Sequence, residues 1–378
     1  MGVPIFQKID MTVYSKATYP GCCIDIAEFI PSFGQKEYHL MLHPEAGGSF
    51  QQQYSNVKSA LSKLRAERYP CAVPVFMRWF LSDSANQQRV IEADMADCAV
   101  SFVEQPPLDG TKLTLWVWMA EGASVAKVGT DTWTAGFAGA THVFTSAVRR
   151  YEGDSEYQMY NMFESYSDML EGRGSSLKDN CIRTWLYVQN IDINYNGVVK
   201  GRRDFFDKAG LRSDTHYIAS TGIAGRTAEP QAKVIMDAYA VEGISGHQIQ
   251  FLKAPTHLNP THEYGVTFER GTTVHYPDRK HVFISGTASI NNKGEIVFTG
   301  DIVGQTLRMM ENVGVLLKEA GCSPEDIMQI TVYLRDIADI DCVRKLVEQL
   351  FPQQPKTFLW APVCRPGWLV EMECIAVR

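Results

Sequence analysis

The sequence predicts an α/β (α+β) fold made of three similar β-β-α-β-α-β-β units in one chain. Three observations predict it. Helical and strand-like apolar spacing alternate along the chain, adjacent strands occur at both ends of each unit, and three strand sequences resemble one another: MRWFLSD from residue 77, IRTWLYV from 182 and ITVYLRD from 330. Each follows the start of a predicted helix by about 26 to 29 residues, as an internal repeat requires. The units are expected at 1–130, 131–250 and 251–378.

The helices and strands of each unit are predicted from the spacing of apolar residues and from turn-forming residues. In the first unit, helices and strands are predicted at 49–67, 73–83, 85–95, 98–107 and 112–121. In the middle unit they are predicted at 142–148, 155–170, 180–191, 198–210, 215–225 and 233–241. In the third unit a hairpin over 281–290 and 295–298 precedes elements at 301–321, 323–337, 339–351, 356–362 and 368–377. We expect the helices to lie on one face of a mixed sheet and the units to pack around a pseudo-threefold axis.

Composition narrows the class of protein. The 378 residues include 45% apolar and 21% charged residues, which is typical of a folded chain with a large core. With 36 Lys and Arg against 43 Asp and Glu, the net charge is −7, so nucleic acid is not an expected partner. No apolar stretch is long enough to span a membrane, and no signal peptide is visible at the N-terminus. Nine scattered cysteines favour reduced thiols and a cytoplasmic location.

The C-terminal unit contains HVFISGTASI, a helix with Gln305 and Asn312, AGCSPEDIMQITVYL and LVEMECIAV. Through these segments it resembles the Rid (YjgF-like, endoribonuclease L-PSP-like) superfamily. Three segments also resemble the chorismatases: HYIASTGIAG (216–225), HYPDRKHVFISGTASI (275–290) and APVCRPGWLVEMECIAV (361–377). These resemblances imply three Rid/chorismate-mutase-like units, the first degenerate, arranged as an intramolecular pseudo-trimer. They also imply a site in a cleft between units, and a monomer rather than an obligate oligomer.

Glu371 is the candidate catalytic residue. In the aligned last strands of the three units, only the third unit has a carboxylate at this position, in a strand that is apolar apart from Glu373. Such a group is paired, protonated or functional, and burial raises its pKa so that it can act as an acid near neutral pH. Glu373 lies two residues further along and faces the same side. A structural role in a hydrogen-bond network is the alternative for both.

Cationic residues are needed to hold the carboxylates of an anionic metabolite. Arg203 and Arg279 are the stronger candidates, since both lie in family-like sequence, and Arg365 lies in the loop before Glu371. The Rid deaminases resemble this chain but have an arginine fifteen positions before the glutamate. Here Lys356 takes that position, which weakens a deaminase interpretation.

The remaining candidates are polar or small residues in family-like segments. Cys364 resembles a chorismatase position that affects the product, together with Pro277, where a smaller residue is expected; as a nucleophile Cys364 is weak. Glycine at two strand ends would let the backbone approach a substrate, and the two tyrosines could bind a ring hydroxyl. The substrate-binding candidates are Arg203, Tyr217, Thr221, Gly222, Tyr276, Arg279, Ser285, Gly286, Lys356, Cys364 and Arg365.

Three functions remain open from the sequence. The first is a chorismatase-like hydrolase that releases pyruvate, with its pocket between the middle and third units. The second is a Rid-type enamine/imine deaminase using Glu371. The third is a non-catalytic protein that binds a small anionic metabolite. No metal and no cofactor are expected, because neither metal-ligand spacing nor a nucleotide-binding motif occurs.

Overall fold

A computed structural model describes residues 10–378. Within this range, eighteen strands form three six-stranded mixed sheets, one in each unit. In every sheet the fourth strand of the unit pairs in parallel with the fifth and antiparallel with the sixth. The predicted fold class and the threefold repeat are therefore confirmed.

The first unit is built around α1, which is capped by the Ser49 side chain accepting from the backbone N–H of Gln52. Its sheet has the order β1-β2-β3-β6-β4-β5. The elements are β1 (Met11–Tyr19), β2 (Cys22–Ile30), β3 (Glu37–Pro44), α1 (Phe50–Arg68), β4 (Ala72–Leu81), α2 (Ser84–Glu92), β5 (Ala99–Glu104) and β6 (Leu113–Glu121).

The second unit has the sheet order β11-β10-β12-β9-β8-β7. Residues 124–127 pair with this sheet, so the division expected at residue 130 belongs nearer to residue 122. The elements are β7 (Ser124–Lys127), β8 (Thr132–Phe137), β9 (Ala140–Arg149), α3 (Ser155–Glu171), α4 (Leu177–Asn180), β10 (Cys181–Val188), α5 (Ile191–Lys208), β11 (Ala219–Ala224) and β12 (Val234–Glu242).

The third unit has the sheet order β13-β14-β15-β18-β16-β17. The predicted hairpin between 281–290 and 295–298 is confirmed only in part. The chain reverses at Asn291–Gly294 and Ile296 bridges Ile290 in antiparallel fashion, with the Val297 N–H donating to the Ser289 carbonyl at 3.3 Å, but residues 295–298 form no strand of the sheet, where β15 pairs with β14 and β18. The elements are β13 (Ile249–Leu252), β14 (Gly271–His275), β15 (Lys280–Ala288), α6 (Ile302–Glu319), β16 (Ile327–Leu334), α7 (Ile340–Leu350), β17 (Lys356–Trp360) and β18 (Val370–Val377).

Each unit has three strands before its first helix, one more than the β-β-α order predicts. The segments predicted there are fewer still: none in the first unit, 142–148 in the middle unit, and 281–290 and 295–298 in the third. The strands β1, β7 and β13, which end or begin their sheets, were all missed, and β7 and β13 have only four residues each. Short edge strands carry too few alternating residues for the period of two to be recognised.

The helices lie against the sheets through apolar faces. In α6, for example, Met309, Val313 and Leu316 follow helical spacing and are buried. Across residues 10–378, no helix combines the length and hydrophobicity that a bilayer crossing requires.

The three units pack in a closed ring, since β5 contacts β9, β11 contacts β15, and β16 contacts β2 and β3. A fully buried arginine–carboxylate pair crosses each junction. Arg78–Asp237 joins the first and second units at 2.9 Å, Arg183–Glu373 the second and third at 2.7 Å, and Arg279–Glu37 the third and first at 2.9 Å. One hydrophobic core contains residues of all three units. The sheets thus form a shared centre around a pseudo-threefold axis.

Candidate functional site

A small cavity of about 30 Å³ lies at the junction of the second and third units. The second unit contributes α5 and β11, and the third contributes β15, β18, the segment before β14 and the loop between β17 and β18. The lining residues are Tyr195, Arg202, Ser220, Gly222, Val266, Phe268, Arg270, Gly286, Ala288, Ile290, Cys364, Arg365, Trp368 and Glu371.

Glu371 lies on β18, between Tyr333 of β16 and Ala288 of β15 in the strand register, and its carboxyl group faces the cavity. It is only 5% exposed. Burial, followed by the negative charge of Glu373, raises the pKa of Glu371 to about 8, whereas Arg183 and Arg270 act in the opposite direction. Glu371 is therefore mostly protonated near pH 7 and can donate a proton into the cavity.

Gly286 allows the backbone to approach this carboxyl group. It lies where the register between β15 and β18 shifts, between Ile284 and Thr287. A Cβ atom at Gly286 would stand 2.0 Å from Oε1 of Glu371, so any larger residue would displace the acid. The Gly286 N–H donates to Oγ1 of Thr221 at 2.8 Å, which ties the two units together beside the acid.

Glu373 has a different environment from Glu371, although both are buried on one strand. The guanidinium of Arg183 donates to Glu373 at 2.7 Å, and the indole N–H of Trp185 donates at 2.9 Å. The hydroxyl of Thr221 donates to the same carboxylate. Glu373 is thus an ion-pairing residue of the junction, and its charge opposes ionisation of Glu371.

Three arginines line the cavity around Glu371. Arg202, on α5, is 3% exposed and its Nη1 lies 3.4 Å from the Ser220 hydroxyl. Arg270 is 4% exposed and donates to the Asn259 backbone and side-chain oxygens at 3.0 and 3.1 Å. Arg365 lies on the loop and stacks over Trp368 at 5.4 Å. The cavity is therefore suited to anionic groups beside a protonated carboxyl.

Cys364 completes the wall next to Glu371. Burial, followed by the charge of Glu371, raises the pKa of this thiol to about 12, which excludes a thiolate nucleophile near neutral pH. A hydrogen bond with Tyr195 acts to lower the pKa of Cys364. Gly222 lies under Tyr195, where a Cβ atom would meet the ring at 3.1 Å. These residues shape the cavity.

A second cavity of about 180 Å³ adjoins the first, because Phe268 and Arg270 line both. Tyr217 lines this outer cavity, and its backbone N–H donates to Glu269 at 2.9 Å. Ser285 is buried behind the inner cavity, where it accepts from the Ser220 N–H at 2.9 Å and donates to the Glu269 carbonyl at 2.6 Å. Tyr217, Ser285 and Thr221 thus surround the cavity without facing Glu371 directly.

Two predicted residues lie at the opposite end of β15 from Gly286. Arg279 pairs with Glu37 and Asp278 at the junction with the first unit, and Tyr276 hydrogen-bonds Tyr239 at 3.0 Å. Seven residues of extended chain separate Arg279 from Gly286, or about 20 Å. The prediction that Tyr276 and Arg279 bind substrate beside Glu371 is corrected on this ground.

Arg203 and Lys356 also lie away from the cavity. The Arg203 side chain is 48% exposed and pairs with Asp204 at 3.6 Å, because it projects from the outer face of α5. Its neighbour Arg202 is the residue that reaches the cavity. Helical spacing could have identified Arg202 as the inward-facing arginine, since it shares the buried face of α5 with Val198 and Phe205. Lys356 lines a cleft between the third and first units.

Sequence reasoning missed Arg270, Phe268, Trp368 and Tyr195 as lining residues. Arg270 and Phe268 precede a five-residue strand and follow an irregular segment, so no periodicity marks them. Trp368 lies within the family-like segment APVCRPGWLVEMECIAV (361–377), three residues before Glu371, and could have been selected from that match.

Comparisons with known proteins agree with this architecture. Residues 272–378 match the family model for endoribonuclease L-PSP. Over 100 residues the chain is 36% identical to a RutC family protein of Pyrococcus abyssi, covering 26% of this chain and 78% of that protein. It is 30% identical over 99 residues to a 2-iminobutanoate/2-iminopropanoate deaminase of Capra hircus, covering 26% and 72% of the two chains.

One solved structure resembles nearly the whole chain. It is the crystal structure of a chorismatase, with a TM-score of 0.66 and 19% sequence identity, covering 91% of this chain and 99% of that one. This likeness concerns the fold of all three units, whereas the sequence matches concern the third. The chain belongs to the Rid (endoribonuclease L-PSP) family through its C-terminal unit, and its three-unit fold is chorismatase-like.

Proposed function

We propose that this protein is a hydrolase that cleaves the enolpyruvyl ether of chorismate, or of a related cyclic carboxylate, and releases pyruvate. The observation that carries the proposal is Glu371, a buried carboxyl group with its pKa raised to about 8 in a cavity lined by three arginines. The whole-chain likeness to a chorismatase fold is compatible with it.

Glu371 would act as the general acid. The protonated carboxyl transfers its proton to the methylene carbon of the enolpyruvyl group, which leaves an oxocarbenium-like carbon beside the substrate carboxylate. Water adds to that carbon to give a hemiketal, which collapses; if a hydroxyl of the ring adds instead, it forms a cyclic ketal that water must then hydrolyse to release pyruvate. With water as the nucleophile, one enolpyruvyl ether and one water give pyruvate and the ring alcohol, and the proton lost by the hemiketal returns to Glu371.

The arginines would hold the two carboxylates of the substrate. Arg202 from the second unit and Arg270 and Arg365 from the third approach the cavity from different sides. Guanidinium groups bind carboxylates through paired N–H donors, and such bonds are strong where water is excluded. Binding at the junction thus uses cations of both units.

The substrate is larger than the inner cavity. About 30 Å³ holds roughly one water molecule, so a ring with two carboxylates needs space from neighbouring regions. The outer cavity of about 180 Å³ supplies part of it once Arg270 and Phe268 move. Displacement of the loop with Arg365 and Trp368 supplies the rest. We expect this loop to change conformation when substrate binds.

The deaminase interpretation is less favoured by the geometry. Lys356 occupies the position where Rid deaminases have an arginine, and it lines another cleft from the one that contains Glu371. The acid and that cation therefore cannot act on one substrate molecule.

The proposal is tested by incubating the purified chain with chorismate and measuring pyruvate by a coupled lactate dehydrogenase assay. We expect pyruvate release by the wild type and its loss in Glu371→Gln. No release above the uncatalysed rate would reject the proposal. Hydrolysis of a 2-imino acid in the absence of chorismate turnover would instead identify a deaminase.

A further inference from the structure

A cavity of about 440 Å³ lies inside the first unit, away from the junctions between units. It is lined by α1, by the end of α2 and the loop that follows, and by the strands β4, β5 and β6. Every lining residue belongs to the first unit, so this first-unit cavity is distinct from the clefts between units. Its volume lies in the range of about 300–1,000 Å³ that is typical of small-molecule sites.

The first-unit cavity exists because the two helices of this unit lie apart on their sheet. α1 packs on β1, β2, β3 and β6, whereas α2 packs on β4 and β5. In the second and third units, by contrast, α3 packs against α5 and α6 packs against α7. With nine residues, α2 is also shorter than α5 and α7, which have eighteen and eleven. Part of the helix-side face of the first sheet is therefore left uncovered.

The floor of the first-unit cavity is apolar. Met77 and Val100 are opposite each other in the strand register, as are Trp79 and Leu115, and all four side chains line the cavity. Met95, in the loop after α2, lines it as well and remains 45% exposed. Aromatic rings and flexible thioethers can accommodate apolar groups of varied shape. The floor is therefore suited to the apolar part of a small ligand.

One ion pair lies at the rim of this cavity and joins its two sides. Lys58 of α1 pairs with Asp94 in the loop after α2, and the Tyr54 hydroxyl donates to the same carboxylate at 3.4 Å. The hydrogen bond from Lys58 lowers the pKa of Asp94, so this acid is ionised and has its cation. Asp94 therefore leaves the other cation of the cavity without a counter-ion.

That other cation is Arg65, which is partly buried on α1. Its Nη2 donates to the Ala72 carbonyl at 3.3 Å, and its buried Nε has no hydrogen-bond partner among the described residues. Within residues 10–378, no carboxylate oxygen lies within 4.0 Å of its guanidinium nitrogens. Asp97 lies in the same region, since both it and Arg65 affect the pKa of the Cys98 thiol, but Asp97 does not line the cavity. Arg65 thus has donors available for an anionic ligand.

We propose that the first-unit cavity binds a small amphipathic carboxylate, with the apolar part of the ligand on the floor formed by Met77 and Trp79 and its carboxylate at Arg65. Two cations and one acid line the cavity, so its charged lining sums to +1 and favours a ligand with a single negative charge. The site does not involve Glu371, and the proposal does not depend on the proposed hydrolase function.

The test is calorimetric titration of the full chain with matched probes. Hexanoate and 3-phenylpropanoate are compared with 1-hexanol and 3-phenylpropan-1-ol, which have the same apolar parts without the charge, and with acetate. We expect at least one of the two larger carboxylates to bind with a Kd of about 1 mM or below and with a negative heat-capacity change. The matching alcohol should bind about tenfold more weakly or worse, because Arg65 then lacks an anionic acceptor. Acetate should not bind, because it has almost no apolar surface to bury.

Four variants locate the binding. Arg65→Met should weaken the carboxylate by about tenfold to a hundredfold and leave the alcohol unchanged. Lys63→Met, at an exposed position of the same helix, is the matched control and should bind normally. Ser62→Trp places a large side chain at an exposed position that lines the cavity, so it should block carboxylate and alcohol alike without disturbing the fold. Glu371→Gln should bind normally, which separates this site from the hydrolase cavity.

Several results would overturn the proposal. They are no binding of either larger carboxylate at about 10 mM, equal affinity for a carboxylate and its alcohol, normal binding by Arg65→Met or by Ser62→Trp, and loss of binding in Glu371→Gln. Sedimentation velocity covers another occupant. If the wild type self-associates and Ser62→Trp abolishes that association, the apolar floor is an interface with a second copy of the chain, and the ligand proposal is rejected.

Discussion

Replacing Glu371 by glutamine should remove activity and stabilise the fold at alkaline pH. The pKa of Glu371 is raised from 4.5 to about 8 because the ionised form is buried and lies beside Glu373. Each pH unit between the folded and unfolded pKa is worth about 1.4 kcal/mol, so ionising this group in the folded chain costs about 5 kcal/mol. Glutamine has nearly the same shape and never ionises.

The sign of the effect follows from proton binding. Between pH 4.5 and about 8 the folded chain keeps the Glu371 proton and the unfolded chain has lost it, so wild-type stability declines as pH rises through this window. Below 4.5 both states are protonated, and above about 8 both are ionised. The variant should therefore match the wild type near pH 5 and exceed its stability increasingly up to pH 9.

Chemical denaturation at pH 5, 7 and 9 measures this difference. Glu373→Gln is the matched control, because it removes a carboxylate two residues away on the same strand. That change leaves Arg183 buried without its partner and should destabilise the fold by about 3 to 5 kcal/mol. A Glu371→Gln variant less stable than the wild type at pH 9, or a difference that does not depend on pH, would refute the reasoning.

Three further outcomes are expected. Arg202→Met should lower kcat/KM for chorismate by about tenfold to a hundredfold, whereas Arg203→Met should not change it, and equal losses would contradict the assigned positions. Gly286→Ala should abolish pyruvate release with the fold retained by circular dichroism, because the new Cβ would stand 2.0 Å from a Glu371 oxygen. Asp237→Asn should leave its buried arginine unpaired and destabilise the chain by about 3 to 5 kcal/mol in thermal or chemical unfolding.

Local patterns explain what the sequence predicted correctly. Helices such as α1 and α6 show their period within a single segment, and the repeat was visible because three units conserve one order of elements. Glu371 could be singled out because a carboxylate in an apolar strand is costly unless it has a role. These inferences need no knowledge of which strands are neighbours.

The errors concern residues whose position depends on strand pairing. Arg279 and Gly286 lie in one family-like segment, yet extended chain carries them to opposite ends of β15. Arg270 reaches the cavity from an irregular segment held by Asn259, which no sequence period reports. The exposed position of Arg203 could have been predicted from the buried face of α5, so this error was avoidable.

The strand register also explains how one chain can have two unlike clefts. In a ring of identical units, every junction would combine the residue at the Lys356 position of one unit with the residue at the Glu371 position of the next. Here the pairs differ at the three junctions. They are Val100 with Ile235 at the first–second junction, Ser220 with Glu371 at the second–third junction, and Lys356 with Thr114 at the third–first junction.

Acid and ammonium are therefore divided between two junctions, and the remaining junction has apolar residues at both positions. Because an imine deaminase of this fold would need the cation and the acid in one cleft, this division argues for separate roles. Transferring the ammonium by Ser220→Lys should place a cation beside Glu371 and lower its pKa. Pyruvate release should then fall near pH 7 and its pH–rate profile should shift to lower pH, because a smaller fraction of Glu371 is protonated at neutral pH. A pH–rate profile of Ser220→Lys identical to that of the wild type would show that the two positions do not share a cleft.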